Sequence, residues 1–154
     1  MKLNDAQAAY ADTIGRYWES VGFSRAGSAL LAWLMICEPA HQSQAELATA
    51  LRLSRGSVST QLRTLEGVGL TERIRFPGER TQYYQLPEDV WLRVMRSEGE
   101  RIAAMKQLAE AGAEVLPATR QDRITQLGEV AAFFEEVWPQ VTERMNARFK
   151  KGTP

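Results

Sequence analysis

The chain has 154 residues and a mass of 17.3 kDa, the size of one ordinary domain with a few additional helices. Apolar residues make up 44% and charged residues 25%, values typical of folded globular proteins, which excludes disorder over most of the length. Basic and acidic residues balance at 19 each. The single cysteine and the single histidine exclude an internal disulfide and a zinc site of the usual Cys/His type.

The sequence contains no candidate membrane span and no recognisable catalytic motif. Its longest apolar run, from Ala29 to Cys37, has nine residues, which is too short to cross a bilayer. The first residues lack the apolar stretch of a signal peptide, so we expect a cytoplasmic protein. A glycine-rich phosphate loop, a nucleophile elbow and metal-ligand spacings are all missing, so we expect no catalytic residues, metal or cofactor.

Helical periodicity begins near Asp5 and continues to Val21. Apolar side chains recur there at steps of three and four, which predicts one buried helical stripe made of Ala6, Tyr10, Ile14, Tyr17 and Val21. Ser24 is a suitable N-cap for a second helix. The inner face of that helix is predicted to hold Leu30, Leu31, Leu34 and Cys37.

A pair of helices joined by a tight turn follows. Ser43-Gln44-Ala45-Glu46 matches a capping box, which predicts that a short helix starts at Ser43. Leu53 lies in the turn, and Ser54 caps a second helix that ends at Gly67 or Gly69. One small core is predicted to fix the angle between the two helices: Leu47, Ala48, Leu51, Leu53, Val58, Leu62 and Leu65.

Beyond this pair of helices, the spacing of similar residues changes from three or four positions to two, which indicates a β-hairpin. Two sets of residues alternate in the first strand: Leu70, Glu72, Ile74 and Phe76 on one face, and Thr71, Arg73 and Arg75 on the other. Pro77-Gly78-Glu79-Arg80 has the composition of a turn. The returning strand runs from Thr81 to Leu86. We expect the inner face of the hairpin to carry Tyr84 and Leu86, and the outer face to carry Arg73 and Arg75.

The last third of the chain returns to helix. Its apolar residues form two long stripes with heptad spacing, which is typical of helices that pack at shallow angles. The first stripe comprises Trp91, Met95, Glu98, Ile102, Met105, Ala109, Gly112 and Leu116. The second comprises Ile124, Leu127, Ala131, Phe134, Trp138, Val141 and Met145. Pro139 removes a backbone donor, so a kink is expected at that point.

Together these patterns predict a mainly α chain with a small β-hairpin wing. Helix, tight turn, helix and hairpin is the order of a winged helix-turn-helix, in which the second helix enters the major groove of DNA. We therefore divide the chain into an N-terminal helix (1–24), a DNA-binding domain (25–86) and C-terminal helices (87–151). The heptad stripes could form core within one chain alone, but we expect the two outer segments to serve dimerisation, because their apolar surface exceeds what one chain would bury.

The outward face of the helix after Ser54 is small, polar and free of carboxylates. A helical projection places it opposite Val58, Leu62 and Leu65, while Glu66 lies off this face. Small residues allow close approach to base edges, hydroxyls donate or accept hydrogen bonds, and arginine pairs with guanine or phosphate. Arginines of the wing add phosphate or minor-groove contacts. The predicted DNA-binding residues are Ser54, Arg55, Gly56, Ser57, Ser59, Thr60, Arg63, Arg73, Arg75 and Arg80.

The charge balance supports this interpretation modestly. From Ser43 to Leu86 the chain has six arginines and four acidic residues, a net charge of +2. The isoelectric point of the whole chain, 6.6, lies below the range of a basic DNA-binding domain. We therefore expect DNA binding to depend on a local positively charged patch, and a dimer presents two such patches.

From Arg25 to Leu86 the chain resembles the MarR family of transcription factors. The resemblance rests on Ala45-Glu46-Leu47-Ala48, on the segment from Leu53 to Ser59, on Leu70-Thr71-Glu72-Arg73 and on the wing from Pro77 to Tyr84. The strings Ser-Arg-Gly-Ser-Val-Ser and Pro-Gly-Glu-Arg resemble the GbsR-like branch, named for repressors of glycine betaine synthesis. The wing has Glu79-Arg80 where many members carry Asp-x-Arg, which leaves Arg80 at the tip.

This resemblance implies a bacterial or archaeal homodimer held together by N- and C-terminal helices. It further implies binding to a pseudo-palindromic operator on double-stranded DNA, with the helix after Ser54 in the major groove. Many relatives repress transcription and are released by a small-molecule effector. The alternative function is a winged-helix protein-interaction module without DNA binding.

Several single residues leave two interpretations open. Arg52 and Arg55 are solvated or helix-capping residues, or else phosphate contacts. Cys37 is a buried apolar residue rather than a redox sensor, because the neighbouring Glu38 opposes a thiolate. His41 is expected to be an exposed loop residue. The aromatic residues of the helices either form core or build a cage for a choline-like cation: Tyr10, Tyr17, Trp18, Trp33, Trp91, Phe133, Phe134 and Trp138.

Overall fold

A computed structural model describes residues 3–149, and the chain divides into two compact units, Met1–Val90 and Trp91–Pro154. The elements before Val90 are α1 (Asp5–Ser20), α2 (Arg25–Ile36), β1 (Gln42–Ser43), α3 (Gln44–Leu51), α4 (Arg55–Gly67), β2 (Glu72–Ile74) and β3 (Tyr83–Gln85). The second unit consists of α5 (Val90–Val115, which starts at the boundary), a 3-10 turn (Ala118–Arg120) and α6 (Gln121–Phe149). The mainly α fold with a small antiparallel sheet is confirmed.

The buried side of α1 differs from the predicted stripe. Ile14 is buried as expected, but Tyr17 is 41% exposed and Trp18, one position later, is only 1% exposed. Both residues lie one turn beyond Ile14, so helical spacing alone does not choose between them. The larger indole fills the interior against Phe23, with ring centroids 5.5 Å apart. The outer part of the predicted stripe, Tyr10 and Val21, faces solvent.

Helix α2 is the centre of the first unit. The Ser24 hydroxyl accepts the Gly27 amide, which confirms the predicted N-cap. Leu30, Leu31 and Leu34 are buried, as predicted. Cys37, at the end of this helix, is also buried, and burial raises the pKa of its thiol to about 11. A thiol with so high a pKa is protonated at neutral pH, which supports its role as an apolar core residue.

The helix-turn-helix follows the predicted local signals. Ser43 and Glu46 form a reciprocal capping box at the start of α3, and this hydrogen bonding from Ser43 lowers the pKa of the Glu46 carboxyl. At the start of α4, the Ser54 hydroxyl accepts the Ser57 amide at 3.1 Å. The core between the two helices is buried as expected and includes Leu47, Val58, Leu62 and Leu65.

The sheet has one strand more than the sequence indicated. Its order is β1-β3-β2, and β1 pairs antiparallel with β3 through Gln42 opposite Tyr84. β1 contains only two residues, which is too short for a period-two pattern to be visible. Tyr84 is buried on the inner face, as predicted, and its hydroxyl accepts a hydrogen bond from Gln44 at 2.9 Å.

In the second unit, glycines on α5 admit large side chains of α6. A Cβ at Gly99 would lie 2.8 Å from Nε1 of Trp138, and one at Gly112 would lie 2.9 Å from Cδ1 of Ile124. Ala109 and Ala131 are the buried members of the two predicted stripes. Helix α6 continues through Pro139 as one helix. Among residues 3–149, no helix is long and apolar enough to cross a membrane.

Gly99→Ala is expected to lower the free energy of unfolding by about 1–2 kcal/mol. The added methyl group collides with the rigid indole of Trp138, an overpacking cost that exceeds the gain in helix propensity. Chemical denaturation measures the difference. The matched control is Gly15→Ala in α1, where a Cβ meets no atom within 4 Å, so the same change is expected to stabilise by about 0.5–1 kcal/mol. Equal changes in stability for Gly99→Ala and Gly15→Ala would contradict the close packing of Trp138 against Gly99.

Candidate nucleic-acid interface

The outward face of α4 is exposed as the helical projection predicts. Arg55, Gly56, Thr60 and Arg63 are exposed, and the flanking Ser57 and Ser59 are partly exposed. The opposite side of the helix is fully buried. The face therefore presents a ridge of small polar groups, and we call it the α4 ridge.

Most hydrogen-bonding groups of the α4 ridge remain available to a ligand. Within the described residues, the hydroxyls of Ser57, Ser59 and Thr60 make no hydrogen bond. The hydroxyl of Ser54 accepts from the backbone, which leaves its own proton for a further acceptor. Arg63 makes only a long contact of 3.5 Å from Nε to the Ser59 carbonyl oxygen, which leaves most of its guanidinium donors for a partner.

The position of α4 depends on α2. The Ser24 hydroxyl donates to Oε1 of Gln61, in the middle of α4, at 2.7 Å. Gly27 makes this approach possible, since a Cβ there would lie 2.9 Å from the same Gln61 oxygen. Local sequence predicts the Ser24 cap but not its contact with Gln61, because the two residues are 37 positions apart and no local pattern connects them.

The structure places Arg73 away from the predicted outer face of the wing. Arg73 lies opposite Tyr84 in the sheet, and directly opposed residues of an antiparallel pair point to the same side, here the inner one. Its guanidinium donates to both carboxylate oxygens of Glu66 on α4, each at 2.7 Å, and lies over the Tyr84 ring. The hydrogen bonds to Glu66 raise the pKa of Arg73. The predicted outer-face position of Arg73 is therefore wrong.

Two arginines of the wing remain outside this ion pair. Arg75 is exposed and donates to the side-chain oxygen of Gln82 across the hairpin. Arg80, at the tip, is exposed and has no hydrogen bond or ion pair within residues 3–149. The adjacent Glu79 instead accepts a hydrogen bond from the Tyr83 hydroxyl at 2.8 Å, which raises the pKa of Tyr83. Arg80 is thus the wing cation best placed for a partner outside the chain.

His41 is partly buried, whereas the sequence analysis expected an exposed loop residue. Its ring centroid lies 4.8 Å from that of Phe76 and 5.2 Å from that of Tyr83. The three rings pack together at the base of the wing. The pairing of β1 with β3 brings His41 there, so this contact could not be read from local sequence.

The comparisons with known proteins agree with this geometry. A family model described as "MmpR5-like MarR family transcriptional regulator" matches residues 89–148. The HTH-type transcriptional regulator MmpR5 of Mycobacterium tuberculosis is 32% identical over 142 residues, which cover 90% of this chain and 86% of that protein. The chain belongs to the MarR family of transcriptional regulators. As MarR regulators bind DNA and are typically dimeric, the predicted function of a DNA-binding regulator that is not an enzyme is confirmed.

Two solved structures of transcriptional regulators are similar to this chain. The crystal structure of a transcriptional regulator, 30% identical, has a TM-score of 0.79 and covers 92% of this chain and 99% of that one. MepR, a transcription regulator of the Staphylococcus aureus multidrug efflux pump MepA, is 19% identical with a TM-score of 0.44, covering 79% and 93% of the two chains.

The ion pair gives a direct test of which wing arginines touch DNA. Arg73→Gln is expected to lower DNA affinity with little change in its salt dependence, since Glu66 already neutralises the charge of the Arg73 guanidinium. Arg80→Gln removes the same charge but is expected to reduce the slope of log K against log salt by about one for each phosphate that Arg80 binds. Fluorescence anisotropy between about 50 and 200 mM salt measures both slopes. Equal salt slopes for Arg73→Gln and Arg80→Gln would contradict the prediction that Arg80 is the phosphate contact of the two.

Proposed function

We propose that this MarR regulator is a repressor that binds a pseudo-palindromic operator as a homodimer, with the α4 ridge of each subunit in the major groove. The observation that carries the proposal is the α4 ridge itself. Its hydroxyls are unused within the described chain, it carries no carboxylate, and its reverse side is locked by the buried core. A helix presented in this way fits base edges at close range.

The proposed contacts fall into three groups. Arg63, Ser57, Ser59 and Thr60 read base edges from the exposed middle of α4. Ser54, Arg55 and Gly56, at its N-terminus, hold a phosphate, which the free amides and the helix dipole favour. Arg75 and Arg80 of the wing contact the backbone or the minor groove, while Arg73 supports them through its ion pair with Glu66.

The proposed homodimer is supported by apolar surface on the second unit. Its helices expose large apolar side chains that a monomer would leave in water: Leu108, Val115, Val130, Phe133, Phe134 and Phe149. Patches of this kind mark association surfaces. We propose that residues 1–24 and 87–151 form the dimer, that residues 25–86 bind DNA, and that the protein acts in the cytoplasm.

The decisive experiment measures binding to DNA fragments from the region around the protein's own gene. We expect one retarded complex whose protected half-sites are about 10 base pairs apart, centre to centre, or a multiple of that. Arg63→Ala should relax the preference at one base position by about 1–3 kcal/mol, whereas uniform weakening over all operator variants would make Arg63 a phosphate contact. Failure to retard any fragment at moderate salt would favour the alternative, a protein-interaction module.

We also propose that a small molecule releases the operator. A cleft of about 840 Å³ lies between α1, α2 and the end of α3, and alanines form much of its lining. Trp33 adds an aromatic side chain to this lining. An effector with an apolar body would fit such a cleft. The GbsR-like resemblance suggests choline-like compounds, although Trp18 and Trp33 are core residues here rather than exposed cage walls.

Choline is the probe that tests this effector. It should release the operator complex and change tryptophan fluorescence over the same concentration range. Ala29→Leu narrows the cleft and should abolish both effects, whereas Ala113→Leu on exposed α5 should change neither. If choline leaves the wild-type complex intact, the choline-like effector is wrong.

A further inference from the structure

Arg52 has a backbone conformation that its residue type disfavours. It follows the last residue of α3 with φ 54° and ψ 40°, in the left-handed region. Within residues 3–149 the other residues with positive φ are glycines: Gly22, Gly69 and Gly78. Leu53 donates to the Ala48 carbonyl across Arg52 at 3.0 Å, a helix ending in which glycine is the usual residue. The backbone therefore gives no reason for an arginine here.

The side chain of Arg52 has no structural task that would explain it. It is exposed, and it makes no hydrogen bond or ion pair with any residue from 3 to 149. In particular, it does not cap the last carbonyls of α3, since only its backbone N–H bonds them. The helix-capping interpretation that the sequence left open is thereby removed.

The positive charge of Arg52 also lacks a counter-charge from the four acidic residues between Ser43 and Leu86. Glu46 accepts from Ser43, and Glu66 accepts from Arg73. Glu72 accepts from Gln85, and Glu79 accepts from Tyr83. All four carboxylates between Ser43 and Leu86 are thus engaged elsewhere.

The location of Arg52 suggests its ligand. Arg52 precedes Ser54, the N-cap of α4, by two positions, so its backbone lies within about 7 Å of the point where the helix presents its free amides. An unpaired guanidinium beside such a helix end matches a DNA phosphate, which accepts two parallel N–H bonds. Residues in sparsely populated backbone conformations concentrate at functional sites.

We infer that Arg52 is a phosphate anchor at the entrance of the α4 ridge, retained at a cost in backbone strain. The inference rests on the proposed operator binding and adds a contact beyond the nine DNA contacts proposed above. It concerns the DNA backbone, so it contributes affinity and register but no sequence preference.

The test compares Arg52→Gly with Arg52→Lys and with Arg123→Gln, an equal loss of charge on exposed α6. Arg52→Gly should raise the melting temperature, because glycine relieves the strain. It should lower operator affinity about tenfold for the dimer, equally for all base variants, and reduce the salt slope by about two. Arg52→Lys should retain most of the slope. Arg123→Gln, once analytical ultracentrifugation shows that it dimerises like wild type, should match wild type in affinity and slope.

The outcomes separate this inference from the proposed function. If Arg52→Gly is stabilised but binds the operator with wild-type affinity and slope, Arg52 is merely solvated and the inference is overturned. If Arg52→Gly shifts the preference among operator variants, Arg52 reads bases and the assignment to phosphate is overturned. If the wild-type protein binds no DNA, the proposed function itself fails.

Discussion

Leu62→Ala is expected to lower the free energy of unfolding by about 2–5 kcal/mol and to abolish operator binding at ordinary protein concentrations. The Leu62 side chain is 1% exposed and lies on the inner side of α4, between Val58 and Leu65. Truncation removes its apolar contacts and leaves a cavity that close-packed neighbours fill only in part. Since these contacts set the angle of α4, the α4 ridge also loses its defined position.

Urea denaturation followed by circular dichroism measures the stability loss, and anisotropy measures the loss of binding. Val68→Ala is the control, because Val68 follows α4 but is 54% exposed, so its truncation should cost less than about 0.5 kcal/mol. A Leu62→Ala protein as stable as wild type would show that the core between α3 and α4 does not support the domain.

Thr60→Glu is expected to reduce operator affinity more than about a hundredfold while leaving stability almost unchanged. Thr60 is exposed on the α4 ridge, so a carboxylate fits there sterically. In the complex it would meet phosphates and acceptor-rich base edges, and like-charge contacts of this kind cost several kcal/mol. A dimer places two such carboxylates against one operator.

Thr125→Glu provides the matched control for Thr60→Glu. Thr125 is exposed on α6, so the variant has the same net charge but leaves the α4 ridge intact. Provided that analytical ultracentrifugation shows it to dimerise like wild type, it should bind within about twofold of wild type at physiological salt, where a remote exposed charge is screened. Equal losses in both variants would mean that net charge, rather than the α4 ridge, governs binding. If Thr60→Glu binds the operator with wild-type affinity, α4 does not enter the major groove.

Residue patterns within one helix predicted most of the elements correctly. The caps at Ser24, Ser43 and Ser54 and the core around Leu62 all appear in the structure. These features depend on hydrogen bonds between residues three positions apart and on helical spacing, both of which are local properties of the chain. The DNA-binding residues themselves stay predictions, although their exposure on α4 follows from the same spacing.

The faces of the short strands were less predictable. Alternation from Leu70 to Phe76 suggested a single long strand, but both Leu70 and Thr71 are buried and β2 begins only at Glu72. Where adjacent residues are both buried, a period-two pattern no longer indicates which face is inside. Arg73 was therefore placed on the wrong side of the wing, and its ion pair with Glu66 was missed.

The helical segments, the residues at which the helices start and the polar face of α4 all follow from the order of residues along the chain, because they depend on interactions between near neighbours. Three contacts are visible only in the folded chain: Trp18 rather than Tyr17 fills the core, Ser24 donates a hydrogen bond to Gln61, and Glu66 pairs with Arg73. These choices depend on volumes and partners supplied by distant segments, which only become neighbours once the chain has folded.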